Sequence, residues 1–171
     1  MPKLLPNVRQ QLMEAARRQV AEQGYTNTTI RSVAGACGVG VGTVYNYFSS
    51  KDMLIATFML EDWQACLAHI AALPVGDPET FLQHIHEALR DFARRHTALF
   101  QDTEAVKVFA GVFTQRHKQL RAQLAAVIQP HLPAADDTAF LAEFAAESLL
   151  SWTMEGEDYA RLAPILRKII L

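Results

Sequence analysis

Apolar residues recur at every third or fourth position along most of the chain, which is the spacing of one face of an α-helix. The first such stretch carries Val8, Leu12, Ala16 and Val20, and Gly24, a residue type that commonly ends a helix, follows it. Alternating runs of β-branched residues, which would indicate strands, are absent from the sequence. The pattern therefore predicts an all-α protein of about nine helices.

The first fifty residues predict three short helices, the last two joined by a tight turn. Thr29 is the expected N-cap of the second helix, and Gly38 is expected to end it. A glycine inside the third helix, Gly42, costs about 1 kcal/mol relative to alanine. Close approach of a partner to the backbone would explain it, and a plain turn is the alternative. The predicted helices span Val8–Gln23, Ile30–Cys37, and Val41 to Tyr47 or Phe48.

A fourth helix is predicted from Lys51 to about Leu73, with Ser49 and Ser50 as N-cap candidates. Ser49 and Asp52 resemble a capping box with aspartate in the position of glutamate. A cation at a helix N-terminus opposes the helix dipole by a few tenths of a kcal/mol or more. Lys51 is favourable there if a phosphate lies against the same helix end.

The charge is distributed unevenly between the ends of the chain. The net charge is −2, but residues 1–51 contain six Lys or Arg against two Glu, whereas residues 52–171 contain ten basic and sixteen acidic residues. A basic N-terminal third is consistent with a polyanion that contacts one end of the molecule only.

Helical patterns continue to the end of the sequence, and we expect a division into domains at residues 1–50 and 51–171. The pattern of apolar residues over Glu104–His131 predicts either one long helix or two helices with a kink at Gly111. The last two predicted helices are apolar on most faces, which favours a second subunit as their cover. The expected interface residues are Phe140, Phe144, Leu149, Leu162, Leu166 and Ile169.

The sequence lacks the motifs that are typical of enzymes, metal-binding proteins and membrane proteins. The six histidines are scattered, and there is no Glu-x-x-His pair, no HExxH and no GxSxG, P-loop or GxGxxG motif. The two cysteines, Cys37 and Cys66, have no metal-binding spacing, and no stretch of eighteen apolar residues occurs. We therefore expect no enzymatic activity, no metal, no cofactor, no membrane span and a cytoplasmic location.

The N-terminal third resembles the TetR family of bacterial transcriptional regulators. The resemblance rests on Ala15-Ala16, Gly24-Tyr25, Thr28-Thr29 and the stretch GVGVGTVYNYFSSKD at residues 38–52, and it covers about residues 8–56. It implies a helix-turn-helix head that binds double-stranded DNA, followed by a divergent helical domain that binds a small-molecule effector and dimerises.

The resemblance also implies roles for individual residues. The third helix would lie in the major groove, with Tyr45 on the DNA backbone or thymine methyls and Tyr47 facing phosphate. Lys51 would contact phosphate, and Thr29 and Arg31 would touch phosphate or a base at the start of the second helix. The expected DNA-binding residues are Thr29, Arg31, Val41, Gly42, Thr43, Tyr45, Asn46, Tyr47 and Lys51.

Three departures from the family pattern change what we expect of the DNA contacts and of the core. Gly40 stands where a serine is frequent, and Val41 stands where a polar or basic residue is frequent. Gln19 and Val20 replace a larger apolar pair and should loosen that core slightly. The third helix contains no arginine and cannot make a bidentate arginine–guanine contact. Specificity should then depend on Arg31, thymine methyls and DNA shape.

Aromatic, sulfur and histidine side chains of the second domain are candidates for an effector pocket. Ordinary core packing is the alternative for each of them taken singly. The candidates are Trp63, Cys66, His69, His84, Phe92, Phe109, Phe113 and Trp152. The whole sequence thus favours a homodimeric repressor released by an effector; a helical sensor that binds a protein partner instead of DNA is the alternative.

Overall fold

The computed structural model describes residues 7–74 and 76–170, and within them it describes no side chains at 111–115 or 170. Nine α-helices, one 3₁₀ turn and no strand occur in these residues, so the predicted all-α fold is confirmed. The helices are α1 (Val8–Asn27), α2 (Ile30–Ala36), α3 (Val41–Tyr45), α4 (Lys51–Ala71), α5 (Pro78–Arg95), α6 (Thr97–Phe100), α7 (Thr103–Ile128), α8 (Thr138–Met154) and α9 (Tyr159–Ile170), and the 3₁₀ turn is Gln129–His131.

The turn between α2 and α3 has a defined hydrogen-bonding pattern. Gly38 has a φ of 65°, which favours glycine. Its N–H donates to Gly35 O at 3.1 Å, and the N–H of Val39 donates to Ala34 O at 3.0 Å. This pair of bonds is a Schellman motif, which satisfies carbonyls at the end of α2 and sets the direction in which α3 begins.

Two local predictions differ from the structure, and the structure decides between two alternatives at a third place. The third helix ends at Tyr45, because the N–H of Tyr47 bonds Val44 O three residues back and the last turn tightens. The cap of α4 is Ser50, whose hydroxyl accepts from Met53 N at 3.1 Å, so the capping box expected from Ser49 and Asp52 is wrong. Of the two alternatives for α7, the single helix is correct, since it runs unbroken through Gly111.

The chain forms two compact units by packing. Unit 1 contains the described residues up to Asp62 together with Arg95–Ala110, and unit 2 contains Trp63–Arg94 together with the described residues from Gly111 onward. The boundaries therefore fall within helices. A functional division at residue 50 stays a prediction.

In unit 1, α1 packs against α2 and α6. Leu12, Met13 and Ala16 of α1 are fully buried in this core, as are Leu54 and Ile55 of α4. Because α2 has seven residues and α3 has five, neither is long enough to be a stable helix by itself. Burial against α1 supplies the stability that these two helices lack.

A partly buried ion-pair cluster links α1 to α4 and to the start of α6. The guanidinium of Arg17 donates to both carboxylate oxygens of Asp62, at 3.1 and 2.7 Å. His96 Nε2 lies 3.2 Å from the same carboxylate, and both Arg17 and His96 lie against the ring of Phe58. Burial raises the pKa of Asp62, but hydrogen bonds from His96 and Arg17 outweigh it and hold that pKa below its ordinary value.

Unit 2 has its own core, built from α5, α7, α8 and α9. Leu82 and Ile85 of α5, Leu124 of α7 and Ala142 of α8 are fully buried there. Two contacts fix α9 to the start of α5: Arg167 pairs with Glu79, and the hydroxyl of Tyr159 donates to Glu79 O at 3.1 Å.

We predict that Asp62→Asn lowers the free energy of unfolding by about 1.5 to 3 kcal/mol at pH 7, because the charge-assisted bonds from Arg17 are weakened. The folded-state pKa of Asp62 lies below the unfolded value of about 3.9. The stabilisation is therefore complete above about pH 4 and is lost as the pH falls through the folded-state pKa. Urea unfolding over a pH series measures this.

The control for this substitution is Glu61→Gln. Glu61 pairs with Arg9, but the two side chains are 36% and 48% exposed. An exposed pair contributes little, so the change should stay within about 0.5 kcal/mol. Equal losses in the two variants would contradict a special role for Asp62.

Candidate nucleic-acid interface

The surface of α3 is exposed in a way that suits groove binding. Tyr45 is 53% exposed and Val41 is 38% exposed, while Val44 is fully buried and anchors the helix to the core. Gly42 and Asn46 are also exposed, and Thr43 and Tyr47 are half-buried. The predicted DNA-binding residues of this helix and the turn after it thus reach the surface, alternating with core contacts.

The start of α2 is held by a network of side-chain hydrogen bonds. The hydroxyl of Thr29 accepts from Ser32 N, and the hydroxyl of Ser32 accepts from Thr29 N, each at 3.0 Å. Gln19 of α1 completes the network: its amide donates to Ser32 O at 3.1 Å, and its oxygen accepts from Ser32 Oγ at 2.6 Å. Gln19 therefore bridges α1 to α2 through polar contacts, which the sequence did not predict.

Arg31 lies in the first turn of α2 and is exposed. Among the residues that the structure describes, it makes no ion pair and no side-chain hydrogen bond. Its guanidinium is therefore available to a partner outside the chain.

The glycines of the α3 region fall into two kinds. A Cβ at Gly42 would meet no atom within 4 Å outside its own helix, and Gly40 has a φ of −72°, which any residue adopts. Unlike Gly38, these two positions have no backbone strain that requires glycine. Their small size instead leaves open space on the outer surface of the head.

Lys51 and Asp52 at the start of α4 both bind Tyr25. The ammonium of Lys51 donates to Tyr25 O at 3.0 Å and lies 3.7 Å from the centre of the Tyr25 ring, and the Tyr25 hydroxyl donates to Asp52 Oδ1 at 2.5 Å. Burial lowers the pKa of Lys51, partly offset by Asp52 and Asp102. Burial, then the hydrogen bond to Asp52, raises the pKa of Tyr25. Lys51 thus has an internal partner as well as the phosphate role predicted for it.

A basic three-helix head whose short third helix is exposed after a tight turn has the architecture of a DNA-binding transcriptional regulator. Residues 12–57 match the family described as bacterial regulatory proteins, tetR family. The N-terminal part of the chain therefore matches the TetR family, as the sequence predicts. The matched family is one of regulatory proteins, which agrees with the expectation of a non-enzymatic protein.

Similar proteins support this family and the fold. The regulator UidR of Escherichia coli strain K12 is 32% identical over 60 residues, 35% of this chain and 31% of UidR. The regulator BetI of Yersinia pestis strain Pestoides F is 35% identical over 104 residues, 57% of this chain and 52% of BetI. The match therefore spans only about a third to a half of these relatives. Salmonella enterica GusR shares the fold, with a TM-score of 0.63, 23% identity and coverage of 98% of this chain and 95% of GusR.

The predicted pocket residues do not all lie together. Trp63 and Phe92 are buried in unit 2, where their rings meet edge to face at 5.6 Å and Trp63 Nε1 donates to Gln123 at 3.0 Å. Cys66 is buried, with its sulfur 3.7 Å from Ala88 O. Phe109 belongs to unit 1, where its ring meets Tyr25 at 5.9 Å.

The remaining pocket candidates lie nearer the surface, except Phe113, whose side chain the structure does not describe. His69 is exposed, His84 is half-buried and Trp152 is 45% exposed. The side chain of Phe113 lies outside the described residues. Trp63, Cys66 and Phe92 therefore remain the most coherent part of the predicted pocket, which stays a prediction.

The predicted interface residues on α8 and α9 separate into two groups. Leu149, Leu162 and Leu166 are buried within the chain itself, because α8 and α9 pack against each other and against the rest of unit 2. Phe140 and Ile169 are 69% and 47% exposed, and Phe144 is half-buried. Only this second group is accessible to a second subunit.

The histidines do not form a cluster. Within residues 7–74 and 76–170, no three His, Cys, Asp or Glu side chains lie close enough together to hold a metal ion. None of the helices described is long and apolar enough to cross a membrane.

The sequence did not indicate the contacts that Gln19, Tyr25, Asp62 and Asp102 make. Asp102 precedes α7 and has the residue type of an N-cap, which is a visible local signal. Its contact with Thr26, 76 residues away in sequence, has no such signal.

We predict that Tyr25→Phe lowers the free energy of unfolding by about 1.5 to 3 kcal/mol, because it removes the charge-assisted bond to Asp52 while keeping the ring. Tyr45→Phe is the matched control: Tyr45 is exposed, so stability should change by less than about 0.5 kcal/mol while affinity for duplex DNA falls. Urea unfolding and fluorescence anisotropy measure the two quantities. The same stability loss in both variants would contradict the assignment.

Proposed function

We propose that this protein is a homodimeric repressor that binds a near-palindromic operator through α3 and is released by a small-molecule effector bound in the C-terminal domain. Two heads would read half-sites about 34–36 Å apart, one turn of the double helix. The site of action would be the cytoplasm, where bacterial DNA is located.

The observation that carries this proposal is the open space at Gly42. The free protein gives no reason for a glycine here, since its backbone is helical and a Cβ would meet nothing outside its own helix. A glycine that weakens a helix of only five residues is explained if another backbone approaches it closely. The exposed Tyr45 and Arg31 supply polar groups for that partner, and Val41 supplies an apolar contact for thymine methyls.

The dimer is supported by the exposed apolar side chains of the last two helices. Phe140, Phe144, Ser148 and Trp152 follow one another at intervals of four residues on α8 and so share one helix face. Ile165 and Ile169 are related in the same way on α9. Large exposed apolar side chains gathered on one pair of helices favour a self-complementary interface with a second copy.

The effector would bind in unit 2. The rings of Trp63 and Phe92 meet in unit 2, and Cys66 lies three residues after Trp63 on α4; buried apolar and aromatic side chains of this kind line ligand pockets. An effector would need to favour the DNA-free conformation by about 5.5 kcal/mol to move occupancy from 99:1 to 1:99.

We predict that Gly42→Ala raises the stability of the free protein but lowers its affinity for DNA. Alanine should stabilise the free protein by about 0.5 to 1 kcal/mol, because it favours the helix and meets no clash. The same methyl group should lower affinity for the operator, recovered by selection from random sequences, by at least tenfold. Urea unfolding and fluorescence anisotropy at several salt concentrations measure the two effects.

Gly35→Ala is the matched control, because Gly35 is an exposed glycine in α2 with no atom within 4 Å of an added Cβ. It should stabilise without loss of operator affinity. Unchanged affinity in Gly42→Ala would contradict close approach of DNA. Absence of salt-dependent binding to any duplex would contradict the whole proposal and favour a protein partner.

We predict that Phe140→Glu converts the proposed dimer to a monomer, because it places a charge in an apolar contact. Sedimentation equilibrium should then give the mass of one chain, and operator affinity should fall because one head contacts one half-site. Val106→Glu is the control: Val106 is 45% exposed on α7, away from α8 and α9 in sequence. A dimer mass for Phe140→Glu would exclude this face as the interface.

A further inference from the structure

The carboxylate of Asp102 accepts hydrogen bonds at two helix ends, the start of α7 and the end of α1. Its Oδ1 accepts from the N–H groups of Glu104 and Ala105 at 3.0 and 3.1 Å and so caps α7, a helix of 26 residues. Its Oδ2 accepts from Thr26 N at 3.1 Å, and the Thr26 hydroxyl lies 3.3 Å from both oxygens. The contact joins residues that are 76 positions apart in the chain.

The backbone at the end of α1 is shaped to receive this carboxylate. Gly24 has a φ of 80° and a ψ of 170°, so α1 is broken there and the chain turns before Tyr25. A Cβ at Gly24 would lie 3.4 Å from Asp102 Oδ2. The positive φ is what favours glycine at this turn, and the 3.4 Å distance shows that the carboxylate lies directly against it.

The turn that Asp102 holds leads into the DNA-binding elements. Thr28 is fully buried and donates to Gly24 O at 2.8 Å, and Thr29 follows it as the N-cap of α2. Tyr25, next to Thr26, binds both Lys51 and Asp52 at the start of α4. The segment from Gly24 to Thr29 thus sets the positions of the N-termini of α2 and α4.

The charge of Asp102 suits this role at neutral pH. Backbone hydrogen bonds, first from Ala105 and then from Thr26 and Glu104, outweigh the effect of burial and hold its pKa below the ordinary value for an aspartate. The ionised carboxylate of Asp102 therefore accepts hydrogen bonds through both of its oxygens, and it has no proton to donate.

We propose that Asp102 is a positioning residue for operator recognition: by holding Thr26, it fixes the turn that orients the start of α2 and of α4 on DNA, in addition to capping α7. The inference rests on the proposed function, since it concerns the same DNA-binding head. Thr29, Arg31 and Lys51 would contact DNA, and Asp102 would act through them.

Asp102→Asn tests this proposal because it separates the two roles of the carboxylate. The asparagine oxygen still accepts from Glu104 and Ala105, but the amide NH₂ faces the N–H of Thr26 and cannot accept from it. We expect affinity for the selected operator to fall at least tenfold and affinity for a random duplex of the same length to change by less than twofold. Fluorescence anisotropy measures both.

A purely structural effect has a different outcome. Partial unfolding reduces the fraction of active protein, which a stoichiometric titration measures, and lowers operator and random-duplex binding alike. Asp137→Asn is the matched control, since Asp137 is the N-cap of α8 but its side chain makes no capping hydrogen bond. This control should leave both affinities unchanged.

Thr26→Val provides a second test on an exposed residue that tolerates substitution. It removes the hydroxyl but keeps the N–H, so operator affinity should fall a few-fold in the wild-type background and not at all in Asp102→Asn. Independent, additive losses in this double-mutant cycle would overturn the proposal.

Equal operator-to-random ratios in wild type and Asp102→Asn would also overturn the proposal. The wild-type measurement separates this failure from that of the proposed function. If wild type shows no salt-dependent binding to DNA, the proposed function fails; if wild type binds and Asp102→Asn matches it, only the positioning role fails.

Discussion

The bidentate contact between Arg17 and Asp62 is the constraint on which the DNA-binding head depends. The helices α2 and α3 are too short to persist without α1, so the position of α1 decides where they lie. Asp62 fixes the middle of α1 to α4, and His96 extends this contact to the start of α6. Asp102 fixes the end of α1 to the start of α7. Two carboxylates from outside the first fifty residues therefore hold the head.

Under the proposed function, this arrangement would let a weak reading surface be specific. The α3 helix carries few hydrogen-bond donors and no arginine, so each base contact would discriminate little. Sequence preference would then depend on how accurately Arg31, Tyr45 and the backbone at Gly42 meet the shape of the groove. A rigidly held head would lose less conformational freedom on binding, and the pairing of two heads would multiply a modest discrimination.

Local signals in the sequence predicted the helices well, because caps and glycine turns act over a few residues. Thr29, Gly38 and the break at Gly24 fall where the sequence places them. The sequence predicted less about the site, because its geometry depends on contacts between distant residues: Arg17 with Asp62 is 45 positions apart and Tyr25 with Asp52 is 27. The capping box expected from Ser49 and Asp52 failed for the same reason, since Asp52 accepts a hydrogen bond from Tyr25 instead.

Lys51 shows how the structure changes the interpretation of one residue. A cation at a helix N-terminus is unfavourable, and from the sequence only a phosphate explained it. The structure supplies an internal reason, because the Tyr25 carbonyl and ring both stabilise the ammonium. An ammonium has three donors, and the bond to Tyr25 uses one, so two stay available to a phosphate. Because the same group would hold Tyr25 and contact DNA, the end of α1 and the phosphate backbone would be linked through a single side chain.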